Sequence, residues 1–290
     1  MPPLDFFIEA VRDGVLVPAL VAAGLLAVAL LLTGRLEAAA RIAGLLALPA
    51  GFFAGYVALD AGPWRPESSW HWLPYTALLA SAAGATDLLP GRWFMVGWLL
   101  RPAVAFLSAT LLVPTWPDLL PVRMWWLLGL SAAITMLWFA LDVLSRRSPG
   151  PSFPLQLLLT VLTGSVVILQ SGNLGFAQLG GVLAAVLGAT TLAAIWKRQE
   201  PIVRGVVPGF AVLLPALLTE ASLNNFGSVP SASFLLVLFA PLLLCLEAFP
   251  RLRKLSTLPR LFLMVGISLV PLALAAVLAL TGGAETQWSP

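Results

Sequence analysis

WFMVGWLLRPAVAFLSATLLV, residues 93–113, is apolar almost throughout, yet it carries Arg101 near its middle with Pro102 behind it. A run of this length reads as a helix crossing the roughly 30 Å of bilayer hydrocarbon, which takes about 20 residues. Arg101 stands eight residues beyond Trp93, about 12 Å along a helix axis. An arginine at that depth costs at least about 2.5 kcal/mol by insertion scales unless it is paired or hydrated. The side chain is therefore expected to face the interior of a helix bundle and meet an acid there. Asp87, across the short LLPGR connector, is the first candidate, and Asp142 and Glu247 compete for the role.

The surrounding chain repeats the pattern. Of 290 residues, 60% are hydrophobic and only 10% charged, against about 25% charged in soluble domains, and mean hydropathy is +0.96. The alternating segments of about ten residues that mark an outer-membrane barrel do not occur. The expected fold is an all-α integral membrane protein, a single transmembrane domain over 1–290. Ten spans are expected, at roughly 15–33, 39–59, 71–90, 93–113, 124–143, 153–170, 176–196, 205–222, 232–249 and 261–281. In the first residues Asp5, Glu9 and Asp13 outnumber Arg12, so no basic leader region is read and the first span is expected to be retained.

Lysine and arginine set the expected orientation, because cytoplasmic loops hold the excess. The connectors after every odd span hold Arg35, Arg41, Arg92, Arg146, Arg147, Lys197, Arg198, Arg204, Arg251, Arg253, Lys254 and Arg260, twelve in all. The other side holds Arg12, Arg65 and Arg123. Both termini are thus expected outside the cytoplasm. Trp64, Trp70, Trp72, Trp116, Trp125 and Trp126 fall at the expected outer interface, where aromatic rings anchor. The short loops and the lack of eukaryotic targeting features point to a bacterial inner membrane.

Five plus five spans would make halves 1–148 and 149–290 an inverted repeat, a plan common in transporters. Matching irregularities support it. Pro74 and Pro208 are 134 residues apart, Asp87 and Glu220 133, Pro18 and Pro154 136, and Pro102 and Pro241 139. The eighth span, GVVPGFAVLLPALLTEASL, residues 205–223, holds Pro208 and Pro215. Each removes a backbone donor, so this span is the candidate for a broken helix lining a site.

The candidate set is thus Arg101, Asp87, Pro208, Pro215 and Glu220, forming either a substrate-binding site or a buried ion pair. Glu220 and Asp60 are expected at the outer surface, and Asp142 solvated or paired with Arg146. The connector DAGPWRPESSWHW, 60–72, is expected to lid a cavity rather than catalyse. The polar tracts 169–178 and 220–230 read as entrance linings or plain turns. Gly51 with Gly55, and Gly180, Ala184 and Gly188, are expected at close helix contacts, whether within the chain, in a homo-oligomer or against a partner subunit.

One histidine, His71, and one cysteine, Cys245, leave no basis for an internal disulfide, a multi-histidine metal site or a bis-histidine haem. No catalytic residue and no cofactor is expected. The pI of about 9.6 comes from scattered loop charges, so no nucleic-acid partner is expected. The leading functional expectation is a small secondary transporter or permease for a hydrophobic or amphipathic molecule. The alternative is a non-catalytic subunit or assembly factor of a membrane complex, and the third is a membrane enzyme acting on lipid.

Overall fold

The structure, a computed structural model, describes residues 4–33, 37–89, 93–147, 152–197, 200–248 and 257–285. Every regular element among them is helical. In order these are α1 (Leu4–Val11), a π-turn over Arg12–Leu16, α2 (Val17–Thr33), α3 (Glu37–Ala58), α4 (Leu73–Ala85), α5 (Trp93–Leu112), α6 (Arg123–Arg147), α7 (Ser152–Gln170), α8 (Leu174–Lys197), α9 (Glu200–Leu223), α10 (Ser231–Phe239) and α11 (Thr257–Glu285). Among the described residues, eight stretches are long and apolar enough to cross a membrane. The chain is a helical membrane protein. The predicted loop cations Arg35, Arg92, Arg198, Arg251, Arg253 and Lys254 lie outside the described residues.

Two of the expected spans are short as α-helix. α4 runs into a 3-10 segment, Thr86–Leu88, and α10 into a longer one, Ala240–Ala248. Elsewhere prolines sit inside unbroken helices, at Pro49, Pro102 and Pro271. Hydrocarbon offers no water to a freed backbone group, so a membrane helix that loses one bond at proline still keeps the others.

α9 is the axis of the bundle. Its most apolar stretch is 89% buried, against 22% at Ile8–Ala29 and 28% at Phe262–Gly282. It packs on α3, α4, α6 and α8, and a helix apolar all round is what such a position requires. The expectation of a broken eighth span is corrected here. α9 is continuous from Glu200 to Leu223, with Pro208 and Pro215 both inside it and both buried. Pro208 fills the notch left by Gly84 on α4, where an added Cβ would come within 2.5 Å of the proline ring.

Glycines decide how closely α9 and α3 approach. A Cβ on Gly44 would collide with the carbonyl oxygen of Ile202, and one on Gly205 with that of Arg41. Gly51 and Gly55 face Val186 and Val182 of α8, at 2.6 and 2.5 Å for the added carbon. The α8 stripe is used only in part. Gly180 abuts Ser165 and Ala184 is buried, but Gly188 has open space beside it.

Candidate functional site

Arg101 enters α5 as a buried cation, 2% exposed. Its Nη2 donates to Asp87 Oδ2 at 2.6 Å and to Asp142 Oδ2 at 3.1 Å. The chain of charges continues on both sides. Arg41 Nη2 reaches Asp87 Oδ2 at 2.8 Å, and Arg146 Nη2 reaches Asp142 Oδ2 at 2.9 Å. Three arginines and two aspartates thus alternate in a ladder that ties α3, the Thr86–Leu88 segment, α5 and α6. Arg101 also stacks near Phe139 and Trp138 of α6, at 5.1 and 5.8 Å from the ring centroids, a favourable use of a guanidinium.

The ladder follows from local positions. Asp142 and Arg146 are one helical turn apart on α6, the spacing at which side chains meet. Asp87 is delivered by the 3-10 turn that ends the α4 segment, and Gly97 of α5 lets that turn come close, with Asp87 Oδ1 3.0 Å from where a Cβ would be. Arg41 is the member that sequence reasoning missed, having been counted only as a loop charge. Its signal was its place inside the apolar run 39–59 rather than before it.

The ladder lines neither of the two cavities described next. These lie at the opposite end of the bundle, among the connectors that follow α3, α5, α7 and α9. The larger, about 780 Å³, is walled by Pro66, Ser69, Trp70 and Trp72 of the 60–72 connector, by Thr110, Leu111 and Val113 to Trp116, by Gly172 to Phe176 and Gln178, and by Glu220 and Asn224. Its charged wall residues are Glu67 and Glu220, and no lysine or arginine among the described residues lines it. The 60–72 connector lines it, and both polar tracts contribute.

Glu220 is not at the surface, as the sequence led one to expect. It is 1% exposed, and neither carboxylate oxygen has a hydrogen-bond partner. The Ser69 hydroxyl is near enough to interact with it without completing that bond. Asp60 is exposed as expected. Around Glu220 the turns are stitched together. Asn173 Nδ2 donates to the carbonyl of Asn224 at 2.7 Å, Asn224 Nδ2 to the carbonyl of Glu220 at 2.8 Å, and the amides of Phe226 and Gly227 to the carbonyl of Ser171 at 3.0 Å. The 169–178 and 220–230 tracts are therefore turns and lining at once. At the same end Arg123 donates to the carbonyls of Pro114, Thr110 and Val113, closing the last turn of α5 as basic side chains do at helix C-termini.

His71 holds the connector in shape. Its Nδ1 accepts from the amides of Glu67 at 3.1 Å and Ser68 at 3.2 Å, so the ring is neutral with its proton on Nε2. Burial holds its pKa below the ordinary 6.5, with Glu67 opposing in part. A depressed histidine pKa means that the unfolded chain takes up the proton first. The stability it contributes is present above 6.5 and is lost as pH falls below 6.5 through the depressed folded value. Thermal unfolding in detergent is expected at a lower temperature at pH about 5 than at about 7.5, and His71→Gln should flatten that difference. An equal pH dependence in the variant would remove His71 from the account.

Among the described residues no three histidine, cysteine, aspartate or glutamate side chains gather to hold a metal ion. Comparison with known proteins found no matching family model, no matching curated protein and no matching solved structure. The function is therefore argued from the site alone.

Proposed function

We propose that the chain is a small secondary transporter or permease for an amphipathic small molecule, and that the cavity walled by Glu220 receives it. The carrying observation is the Glu220 carboxylate, buried at the cavity wall with both oxygens unsatisfied. A buried polar group without a partner is costly, and a ligand that donates hydrogen bonds or carries positive charge removes the cost. The apolar wall of Trp70, Trp72 and Trp116 suits the hydrophobic part of the same molecule, as in most small-ligand sites. The binding role expected of Arg101 and Asp87 moves in this reading to Glu220, and the arginine ladder serves as the scaffold for the α5 and α6 end.

The proposal keeps ten crossings in a bacterial inner membrane, with both termini non-cytoplasmic. The lysine and arginine distribution supports it. So does the length of Ser231–Ala248, where nine α-helical and nine 3-10 residues together reach about 30 Å. The five-plus-five inverted repeat rests on the proline and acid offsets in the sequence alone, because the two shortened segments are the third and the ninth.

The test is binding of a hydrophobic organic cation such as tetraphenylphosphonium to purified protein in nanodiscs. Saturable binding is expected, with affinity falling at least tenfold in Glu220→Gln, a loss of about 1.4 kcal/mol. Binding that is absent, or equal in the variant, would end the proposal. A second reading, a non-catalytic subunit of a membrane complex, draws support from the ladder, whose buried charges line no described cavity. A stoichiometric second polypeptide in native mass spectra of gently extracted protein would favour it.

A further inference from the structure

The smaller cavity, about 410 Å³, has a different chemistry. It is lined by Phe53, Tyr56, Val57, Asp60, Gly62, Pro63, Trp64 and Tyr75. Half of these residues are aromatic, one is a carboxylate, and none is basic. We propose that this cavity is an aromatic cage for a methylated ammonium group. The inference does not depend on the transporter reading, since it concerns other residues.

The walls are held as a cage has to be. Phe53 and Tyr56 stand three apart on α3, which puts them on one helix face. Phe53 meets the ring of Trp64 at 5.4 Å and that of Tyr75 edge-on at 6.2 Å. The Tyr75 hydroxyl donates to the carbonyl of Trp64 at 2.5 Å, fixing the connector that carries the indole to α4. Ring faces carry partial negative charge and attract cations, most strongly where water is partly excluded. A quaternary ammonium suits such walls, having no N–H to satisfy and methyl groups to bury.

Two further observations point to a ligand. Asp60 sits at φ 48°, the left-handed region that aspartate visits more readily than most residues but still at a cost. The amides of Asp60 and Ala61 donate to the carbonyls of Val57 and Tyr56, both at 3.0 Å, and hold that turn. The result is a carboxylate beside the aromatic walls. Tyr56 lines this cavity, and its buried hydroxyl has no hydrogen-bond partner. Interfacial tryptophans that only anchor need neither a carboxylate nor an orphan hydroxyl beside them. The volume lies within the range of small-ligand sites, roughly 300–1,000 Å³.

A trimethylammonium group could reach this cage as a phosphatidylcholine headgroup or as a free molecule such as glycine betaine. The test has one arm for each source. In detergent, glycine betaine and tetramethylammonium chloride are titrated against the thermal unfolding midpoint, with sodium chloride at equal ionic strength as the reference. In nanodiscs, native mass spectrometry compares retention of phosphatidylcholine with phosphatidylethanolamine. Asp60→Asn removes the charge while keeping a residue that tolerates the left-handed turn, and Tyr75→Phe removes only the hydroxyl that fixes Trp64. A saturable rise in midpoint with the ammonium compounds, or selective retention of phosphatidylcholine, is expected, weakened at least fivefold in Asp60→Asn and less in Tyr75→Phe. A response in the first arm alone identifies a free ligand, and in the second alone a lipid. No selective response in either arm, or one undiminished in a folded Asp60→Asn, overturns the cage.

Discussion

Arg101→Met is expected to cost about 3 kcal/mol or more of stability and to leave little monodisperse protein, because removing one partner of a buried ion pair strands the other charge. Arg101 Nη2 is the bridge between Asp87 Oδ2 and Asp142 Oδ2. Without it two buried carboxylates face each other across the gap. Arg41 and Arg146 still hold one carboxylate each, which keeps the cost from being larger. Methionine fills much of the volume, so the loss reads the charge rather than a cavity. Neutralising an orphaned acid as well, in Arg101→Met with Asp142→Asn, should recover a substantial part of the unfolding midpoint. Arg101→Lys should fall between, keeping a cation but losing the guanidinium stacked near Phe139. Size-exclusion profiles and thermal unfolding in detergent decide the matter. A single variant that unfolds at the wild-type temperature would mean that the ladder contributes nothing to the fold.

The second large effect is expected at the α3–α9 crossing. A side chain at Gly205 would meet the carbonyl oxygen of Arg41, the amide of Leu45 at 2.6 Å and the carbonyl carbon of Gly44 at 2.8 Å. All three are backbone, so no rotamer change relieves the overlap and the helices have to separate. Overpacking of a well-filled core costs about 1–3 kcal/mol and sometimes more. Gly205→Leu should lie at the upper end, since it pushes the axial helix of the bundle off its neighbour. Gly24→Ala and Gly188→Ala are the controls. An added Cβ at either meets nothing within 4 Å, and alanine is the better helix former by about 1 kcal/mol. Both should be neutral or slightly stabilising. Equal behaviour of Gly205→Leu and Gly188→Ala in thermal unfolding would show that the close crossing is not made.

The amino-acid sequence by itself determined that this is a helical membrane protein, where its long apolar helices run, and that Arg101 needs an acidic partner inside the bundle. These are local matters. Hydrocarbon thickness sets the run length, and the expense of a lone charge in that medium follows from the residue and its depth. The tertiary structure alone decided which groups share a neighbourhood. It gave Arg101 two aspartates rather than one and drew Arg41 into the ladder from a helix that ends far from α5 in the chain. It buried Glu220, which lies near a helix end and so reads from sequence as exposed, because three other connectors fold over that end. It kept α9 whole through Pro208 and Pro215, because helices surround it and one of them, α4, offers Gly84 as the notch for a proline ring. Burial at a helix end and the seat of a proline are properties of the neighbours, and a sequence read one span at a time does not contain them.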